Sequence, residues 1–520
     1  MNERRPGEFP GPGERGSLIG GERKVGEEEI RNADLTAKRI ICDWLPYARA
    51  YSRTPGIATG VKTPYMHLIE GYGKTGFANK DQMTPETPFR VASLTKLFES
   101  TAIMQLVDRG RINLSDTVRQ YLDWIPQGPE EYKNFTIDEL LAHVAGIQRN
   151  VPGVDVYEDV SDSRRLEDQV RGKEIVVFPP KEKFKYSNLG FLFLEAIRKK
   201  VDGRDWEDYF QQEIAGPLSL TKNTSTHMGE ERRKLVKGFE VFTPPEMLRR
   251  RNKKRRSVPV EDFHLYAPAF GAVTTVDDML QFVSSFLPGD DRLLSEEAKE
   301  KMLTLFWPAG DKKAETKRAL GFNITTNKLG IEIFDHTGSV NGFRVYAGLD
   351  LKSKIAVVVF GNASSSPITP ISEGIFNTLY HLRERPKDGN GPIDGLDPIP
   401  TNVDLSQYTG LYAGTFYNTQ IVEGPDHTLY MVDYIEAYYP YDPSTAMAPL
   451  GTWENDTFMV GNHPNLGYEP ITFYRDSSGK VTSFKVAGTP GKKGVITVED
   501  KKRLLYMLSE KVKKRLRKAP

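Results

Sequence analysis

One cysteine, Cys42, stands in 520 residues. No intrachain disulfide can form, which fits a reducing compartment. No Cys-His motif surrounds it, so it reads as a buried apolar side chain and not as a nucleophile. Histidine is also sparse, with eight residues and no His-x-x-x-His spacing. No metal site is therefore expected, and no organic cofactor is implied. Charge of either sign is not in excess: the formal net charge is +1. No global field draws the chain to nucleic acid or to acidic substrates. No run approaches the roughly 18 apolar residues of a membrane span, and the N-terminal stretch lacks the apolar core of a signal peptide. The expectation is a cytoplasmic protein with no membrane and no nucleic-acid partner. A nuclear location is the alternative, raised by Arg249 to Arg256, where seven of eight residues are basic. That run has no interleaved aromatics to stack bases, and it reads first as a solvated insertion loop.

What is present describes a globular chain, with 38% hydrophobic and 27% charged residues. Its length suits two or three domains. Residues 1–34 are rich in Gly, Glu, Arg and Pro, without periodicity, and read as a disordered tail. A helix is expected from Leu35 to Tyr51, then two strands of a meander within 54–73. The stretch from Ile331 to Asn362 alternates and turns as an antiparallel hairpin pattern, and Pro370 to Arg383 reads as a closing helix. Residues 386–402 carry Pro, Gly and Asp in the manner of a linker. Beyond it, short alternating strands at 410–416, 428–434, 457–460, 471–475 and 481–486 suggest a small all-β barrel or sandwich over 403–520. Lys501 to Lys518 reads as a basic amphipathic end helix.

The chemistry centres on Phe89-Arg-Val-Ala-Ser93-Leu-Thr-Lys96. A short extended run delivers Ser93, and an apolar pattern at helical spacing follows, closed by Gly110 at its C′ position. On a helix, residues three apart share a face. Lys96 therefore lies beside Ser93, where a partly desolvated amine can activate a hydroxyl that is a poor nucleophile alone. The same four letters recur at Ser219 to Lys222, and a third Ser-x-x-Lys runs from Ser477 to Lys480. Neither has a strand before it and an apolar helix behind it. Tyr186-Ser-Asn188 lies in a loop feeding an apolar helix; a second Tyr-x-Asn, Tyr132 to Asn134, lies in a charged stretch. A half-buried tyrosine at a helix start would explain Tyr186 equally well on the residues alone. Thr136 with Glu139 reads as a capping box, and His143 near the end of that helix reads as structural, bonded to a backbone carbonyl. Thr275 reads as the N-cap of a helix that follows a Gly271 turn.

Taken in order, Ser93-x-x-Lys96, Tyr186-x-Asn188 and His336-Thr337-Gly338 resemble the serine β-lactamase and penicillin-binding-protein family, most closely its class C-like esterases, DD-peptidases and D-aminopeptidases. Thr54-Pro-Gly-Ile, Leu140-Leu-Ala-His-Val-Ala-Gly and Gly361-Asn362 are similar to family landmarks, and the resemblance covers roughly residues 36–385. The C-terminal part looks like the lipocalin-like domain attached to some of these peptidases. The resemblance implies an α/β (α+β) β-lactamase/transpeptidase-like domain over 35–385, an antiparallel sheet flanked by helices beside a helical subdomain. It also implies an acyl-enzyme at Ser93, with an ester, amide or peptide as substrate. Lys96 would take the serine proton or hold the network. Tyr186 would act as general base, its pKa lowered by Lys96. Asn188 would orient Lys96 and bind a substrate amide. Ser339, after the His-Thr-Gly triplet, would supply an oxyanion-hole N–H together with Ser93. The β-lactamases usually carry lysine where this chain has His336, which weakens a permanent anchor for a substrate carboxylate. β-Lactam hydrolysis is the alternative activity, and a non-catalytic scaffold the alternative class. The partners expected are a small-molecule or peptide substrate and a second copy in a homo-oligomer, and the barrel is expected to shape the site of its own or of a neighbouring chain.

Overall fold

The computed structural model describes residues 26–494, apart from 77–81, 126–133, 155, 157–165, 222, 228–234, 241–255, 259–262, 308–316, 328, 384–395, 415–417, 435–441, 455, 462–465, 467–468 and 487–488. Most of the basic run at 249–256, the greater part of the linker, Tyr132 and the end helix expected at 501–518 lie outside the described residues. Among the described residues no helix is long and apolar enough to cross a membrane.

Helix α1 spans Glu27–Tyr51 and so begins eight residues before the expected Leu35. Glu27, Glu28 and Glu29 fill its first turn, where the helix dipole favours negative charge. The Glu29 carboxylate accepts the Gly26 N–H at 3.1 Å. Charge density that resembles a tail in the sequence is here a helix start. One turn further on, buried Asp34 takes a two-pronged bond from the Arg383 guanidinium, at 2.6 and 2.8 Å.

Seven antiparallel strands form the main sheet: β1 (Gly56–Lys62), β2 (His67–Gly73), β3 (Lys317–Arg318), β4 (Asn323–Thr326), β5 (Glu332–Val340), β6 (Phe343–Asp350) and β7 (Ile355–Gly361). Their order is β2-β1-β7-β6-β5-β4-β3. The inner strand β7 is buried on both faces, which is why it reads as an unbroken apolar run. Helix α2 spans Thr95–Asp108, α3 Asn188–Asp202, α4 Val276–Ser284 and α5 Ile368–Arg383. One face of the sheet, with Ile57, Val61, Val357 and Val359, packs against Ile40, Trp44, Ile375 and Leu379 of α1 and α5. The other, with Ala58, Val358 and Phe360, packs against Met279 and Leu280 of α4 and merges with the helical subdomain.

Helix α2 runs between the sheet side and that subdomain. It is buried all round from Thr95 to Leu106, not amphipathic as expected. Two of its buried polar side chains bond to carbonyls: Thr101 bonds the Leu97 carbonyl at 2.8 Å, and Gln105 bonds the Glu213 carbonyl at 2.9 Å. Gly110, at φ +65°, takes the C′ position as its sequence predicts.

Residues 410–493 close an eight-stranded barrel whose strands follow chain order. Five of its strands match the expected alternating segments; Asn418–Gly424, Met447–Glu454 and Thr489–Lys493 are additional. The interior is filled by Tyr412, Met431, Phe458, Phe473 and Phe484. Outside, Val422, Tyr430, Val432 and Tyr434 join the core of α1 and α5. Gln420 also donates to Asp43 of α1 at 2.7 Å. The barrel thus sits on the sheet face opposite α2. Its apolar outer strands pack on α1 and α5, which cover the back of the sheet.

Candidate active site

A two-residue ladder, Phe89–Arg90 against Val273–Thr274, sets the site. The Val91 N–H then bonds the Ala272 carbonyl at 3.1 Å. Ala92 follows at φ +46°, a left-handed conformation that costs a non-glycine residue energy. That elbow puts Ser93 on a single 3-10 turn, Ala92–Leu94, ahead of α2. Lys96, one turn on, has no solvent exposure. Its Nζ lies 2.9 Å from Asn188 Oδ1, 2.7 Å from the Ala269 carbonyl oxygen and 3.4 Å from Ser93 Oγ. Asn188 opens α3, which Ser187 caps by accepting the Gly190 N–H at 3.0 Å. Tyr186, just before the cap, donates its hydroxyl to Ser93 Oγ at 2.9 Å. The structure therefore brings Ser93, Lys96, Tyr186 and Asn188 together.

Protonation departs from the expectation. Burial lowers Lys96 well below its ordinary range, with the Arg149 cation adding to the effect. Its Nζ donates to the Asn188 and Ala269 oxygens and also faces Ser93 Oγ. Burial pushes Tyr186 up to about 12, against the opposing pull of the Ser93 hydrogen bond, Arg149 and Arg318. Contrary to the expectation, Lys96 is not among the groups that lower it, and burial outweighs those that do. Tyr186 is a protonated donor in this arrangement.

Strand β5 passes close to the Ser93 turn. A Cβ at Gly338 would stand 2.2 Å from the Val91 carbonyl oxygen, so only glycine lets the strand approach. Val340 and Phe343 flank the tight Asn341-Gly342 turn, and Ser339 pairs with Arg344 one step back. Antiparallel pairs alternate between bonded and non-bonded, which directs the Ser339 N–H away from β6. Thr337 and Ser339 are exposed, while His336 and Gly338 are buried. His336 Nδ1 lies 2.9 Å from the Thr337 carbonyl oxygen. Burial, aided by Lys96, drops His336 to about 3, so it is neutral and no cationic anchor.

A cavity of about 310 Å³ opens over Ser93, lined also by Arg149, Asn150, Asn188, Phe263, Phe270 and Ser339. Of the residues singled out in the sequence, Lys96, Tyr186, His336, Thr337 and Gly338 stand behind or beside this lining. The other Ser-x-x-Lys copies are elsewhere: Ser219 ends a short helix at φ +55°, and Ser477 lies in the turn closed by Asp476 and Lys480.

Sequence reasoning missed three contributions. Arg149 and Asn150 line the cavity, and Asn150 Oδ1 accepts from Asn188 Nδ2 at 2.7 Å. They carry no motif; the signal was their position just after the Leu140–Gly146 landmark. The Ala269 carbonyl is a backbone group, invisible to side-chain motifs. His143 is the third. Its Nδ1 accepts the Ser187 N–H at 3.1 Å, where a bond to a backbone carbonyl was expected. Its ring lies 4.2 Å from that of Tyr186, and burial holds it neutral. His143 thus pins the loop that carries Tyr186.

A model of the Beta-lactamase family matches residues 48–371. Protein flp of Staphylococcus aureus (strain COL) is 25% identical over 327 residues, 60% of this chain and 60% of its own length. The chain thus spans about three fifths of the length of the curated relatives it matches first. Beta-lactamase-like protein 2 of Dictyostelium discoideum is 24% identical over 363 residues, 66% of this chain and 63% of its own. Among solved structures, the octameric penicillin-binding protein homologue from Pyrococcus abyssi covers 88% of this chain and 99% of its own, at 22% identity and a TM-score of 0.55. The D-amino acid amidase from Ochrobactrum anthropi SV3 covers 68% and 99%, at 19% identity and a TM-score of 0.56. These structural likenesses carry the fold.

Proposed function

Because the chain belongs to the Beta-lactamase family, we propose that it is a serine hydrolase that cleaves an ester or amide through an acyl-enzyme at Ser93. One observation carries this reading: Ser93 Oγ stands between a buried Lys96 amine at 3.4 Å and the Tyr186 hydroxyl at 2.9 Å. Oγ attacks the substrate carbonyl carbon while its proton passes to the Lys96 lone pair. The oxyanion that forms accepts from the Ser93 and Ser339 N–H groups. As the C–O or C–N bond breaks, Tyr186 protonates the leaving atom, and the Lys96 ammonium returns a proton to the tyrosinate. Water then repeats the sequence on the acyl-enzyme.

The neutral, buried His336 argues for esters and amides in general over a dedicated β-lactamase. The intact set of Ser93, Lys96 and Tyr186 argues against a scaffold. Turnover of p-nitrophenyl acyl esters, set against nitrocefin, tests the reading. Ester turnover that disappears in Ser93→Ala supports it. Nitrocefin turnover well above ester turnover replaces it with the β-lactamase reading, and turnover that survives in Ser93→Ala overturns it.

A further inference from the structure

The cavity over Ser93 has a one-sided charge. Arg149 is its cationic lining residue, and no carboxylate appears among the described lining residues. The other walls there are amide, hydroxyl or apolar: Asn150, Asn188, Ser339, Phe263 and Phe270. The Arg149 guanidinium carbon sits 5.1 Å from the centre of the Tyr186 ring, so it reaches to the reacting groups. Arg149 is exposed to the cavity, and none of the described residues forms an ion pair with it. The nearby Arg318 differs: it lies over the Phe184 ring at 4.1 Å and is balanced in part by Asp335.

An arginine with no counterion among the described residues, beside apolar walls, is matched by a planar anion that its fork can hold with two parallel bonds. The same site has lost the cation that β5 would offer, since His336 is neutral. We infer that Arg149 is a specificity-determining residue that selects substrates carrying a carboxylate within reach of the scissile carbonyl. The inference rests on Ser93 being the acylated residue. The carboxylate can belong to the acyl part or to the leaving group, and the test separates the two.

Two substrate pairs on the full chain make that separation. p-Nitrophenyl glutarate against p-nitrophenyl valerate places the carboxylate on the acyl side. 4-Carboxyphenyl butyrate against phenyl butyrate places it on the leaving side. A hydrogen bond to a charged group is worth roughly 10- to 100-fold. The carboxylate-bearing member of one pair should therefore lead in kcat/KM by about that factor. The lead should collapse in Arg149→Gln and survive in part in Arg149→Lys. Where turnover is slow, protection of Ser93 from a fluorophosphonate gives the same ranking, and circular dichroism melts report that the variants are folded. Equal treatment of both members in both pairs, or a preference that persists in Arg149→Gln, overturns the assignment. If Ser93 still labels in that case, the hydrolase reading stands; if Ser93 does not label, both readings fall.

Discussion

Replacing Asn188 by aspartate tests the protonation state on which the mechanism turns. The change is nearly isosteric, and it puts a carboxylate where the amide oxygen lies 2.9 Å from Lys96 Nζ. With an effective dielectric of about 20, a charge pair at that separation of 2.9 Å is worth about 6 kcal/mol. That alone corresponds to a rise of about four pKa units on Lys96. The new carboxylate also loses hydration on burial, and it can no longer donate to Asn150 Oδ1, so a net rise of about two to three units is expected. Lys96 then stays an ammonium at neutral pH and has no lone pair for Ser93. The rate of Ser93 modification by a fluorophosphonate, measured from pH 5 to 10, should plateau early in the wild type. In Asn188→Asp it should fall about 100-fold or more at pH 7 and recover toward alkaline pH. A profile within about threefold of wild type, with no displacement along the pH axis, would refute a neutral Lys96 as the base.

Further expectations follow from buried groups. Burial raises Glu99 of α2 to about 8, and neither of its carboxylate oxygens has a hydrogen-bond partner among the described residues. The folded protein therefore keeps a proton that the unfolded chain has released above its ordinary pKa. Stability should fall as pH rises from about 5 to 8, by up to about 1.4 kcal/mol per pH unit. Glu99→Gln should flatten that decline in thermal or urea melts; parallel curves would contradict it. Gly338→Ala forces a Cβ to within 2.2 Å of the Val91 carbonyl oxygen. It should cost about 1–3 kcal/mol in melts and slow Ser93 labelling at least about tenfold, because β5 must back away from the nucleophile's turn. Unchanged labelling would show that β5 does not set the site.

Much of the fold is legible in the sequence because one face of most strands is buried. The hairpin pattern of Ile331 to Asn362 is visible as β5, β6 and β7, and the Thr275 cap as the start of α4, where Thr275 accepts the Asp278 N–H at 3.1 Å. Two of the three missed barrel strands contain a proline: Met447–Glu454 has Pro449, and Thr489–Lys493 reads Thr-Pro-Gly-Lys-Lys. They are strands through closure of the barrel, not through their own propensity. In the site, side-chain motifs were visible at Ser93, Lys96, Tyr186, Asn188 and the strand at 336–339. What was hidden depends on three-dimensional surroundings. The depressed Lys96 and the raised Tyr186 follow from full burial, which a local sequence does not report. The left-handed Ala92 is an ordinary letter in an unusual conformation, held between the ladder before it and the helix after it.

The most direct test of the central claim is intact-mass analysis after fluorophosphonate treatment of the wild type, Ser93→Ala and Ser219→Ala, with the modified peptide mapped. The account predicts one adduct, on Ser93, present in the wild type and Ser219→Ala and absent from Ser93→Ala. No adduct on folded protein, or an adduct that persists in Ser93→Ala, would contradict it.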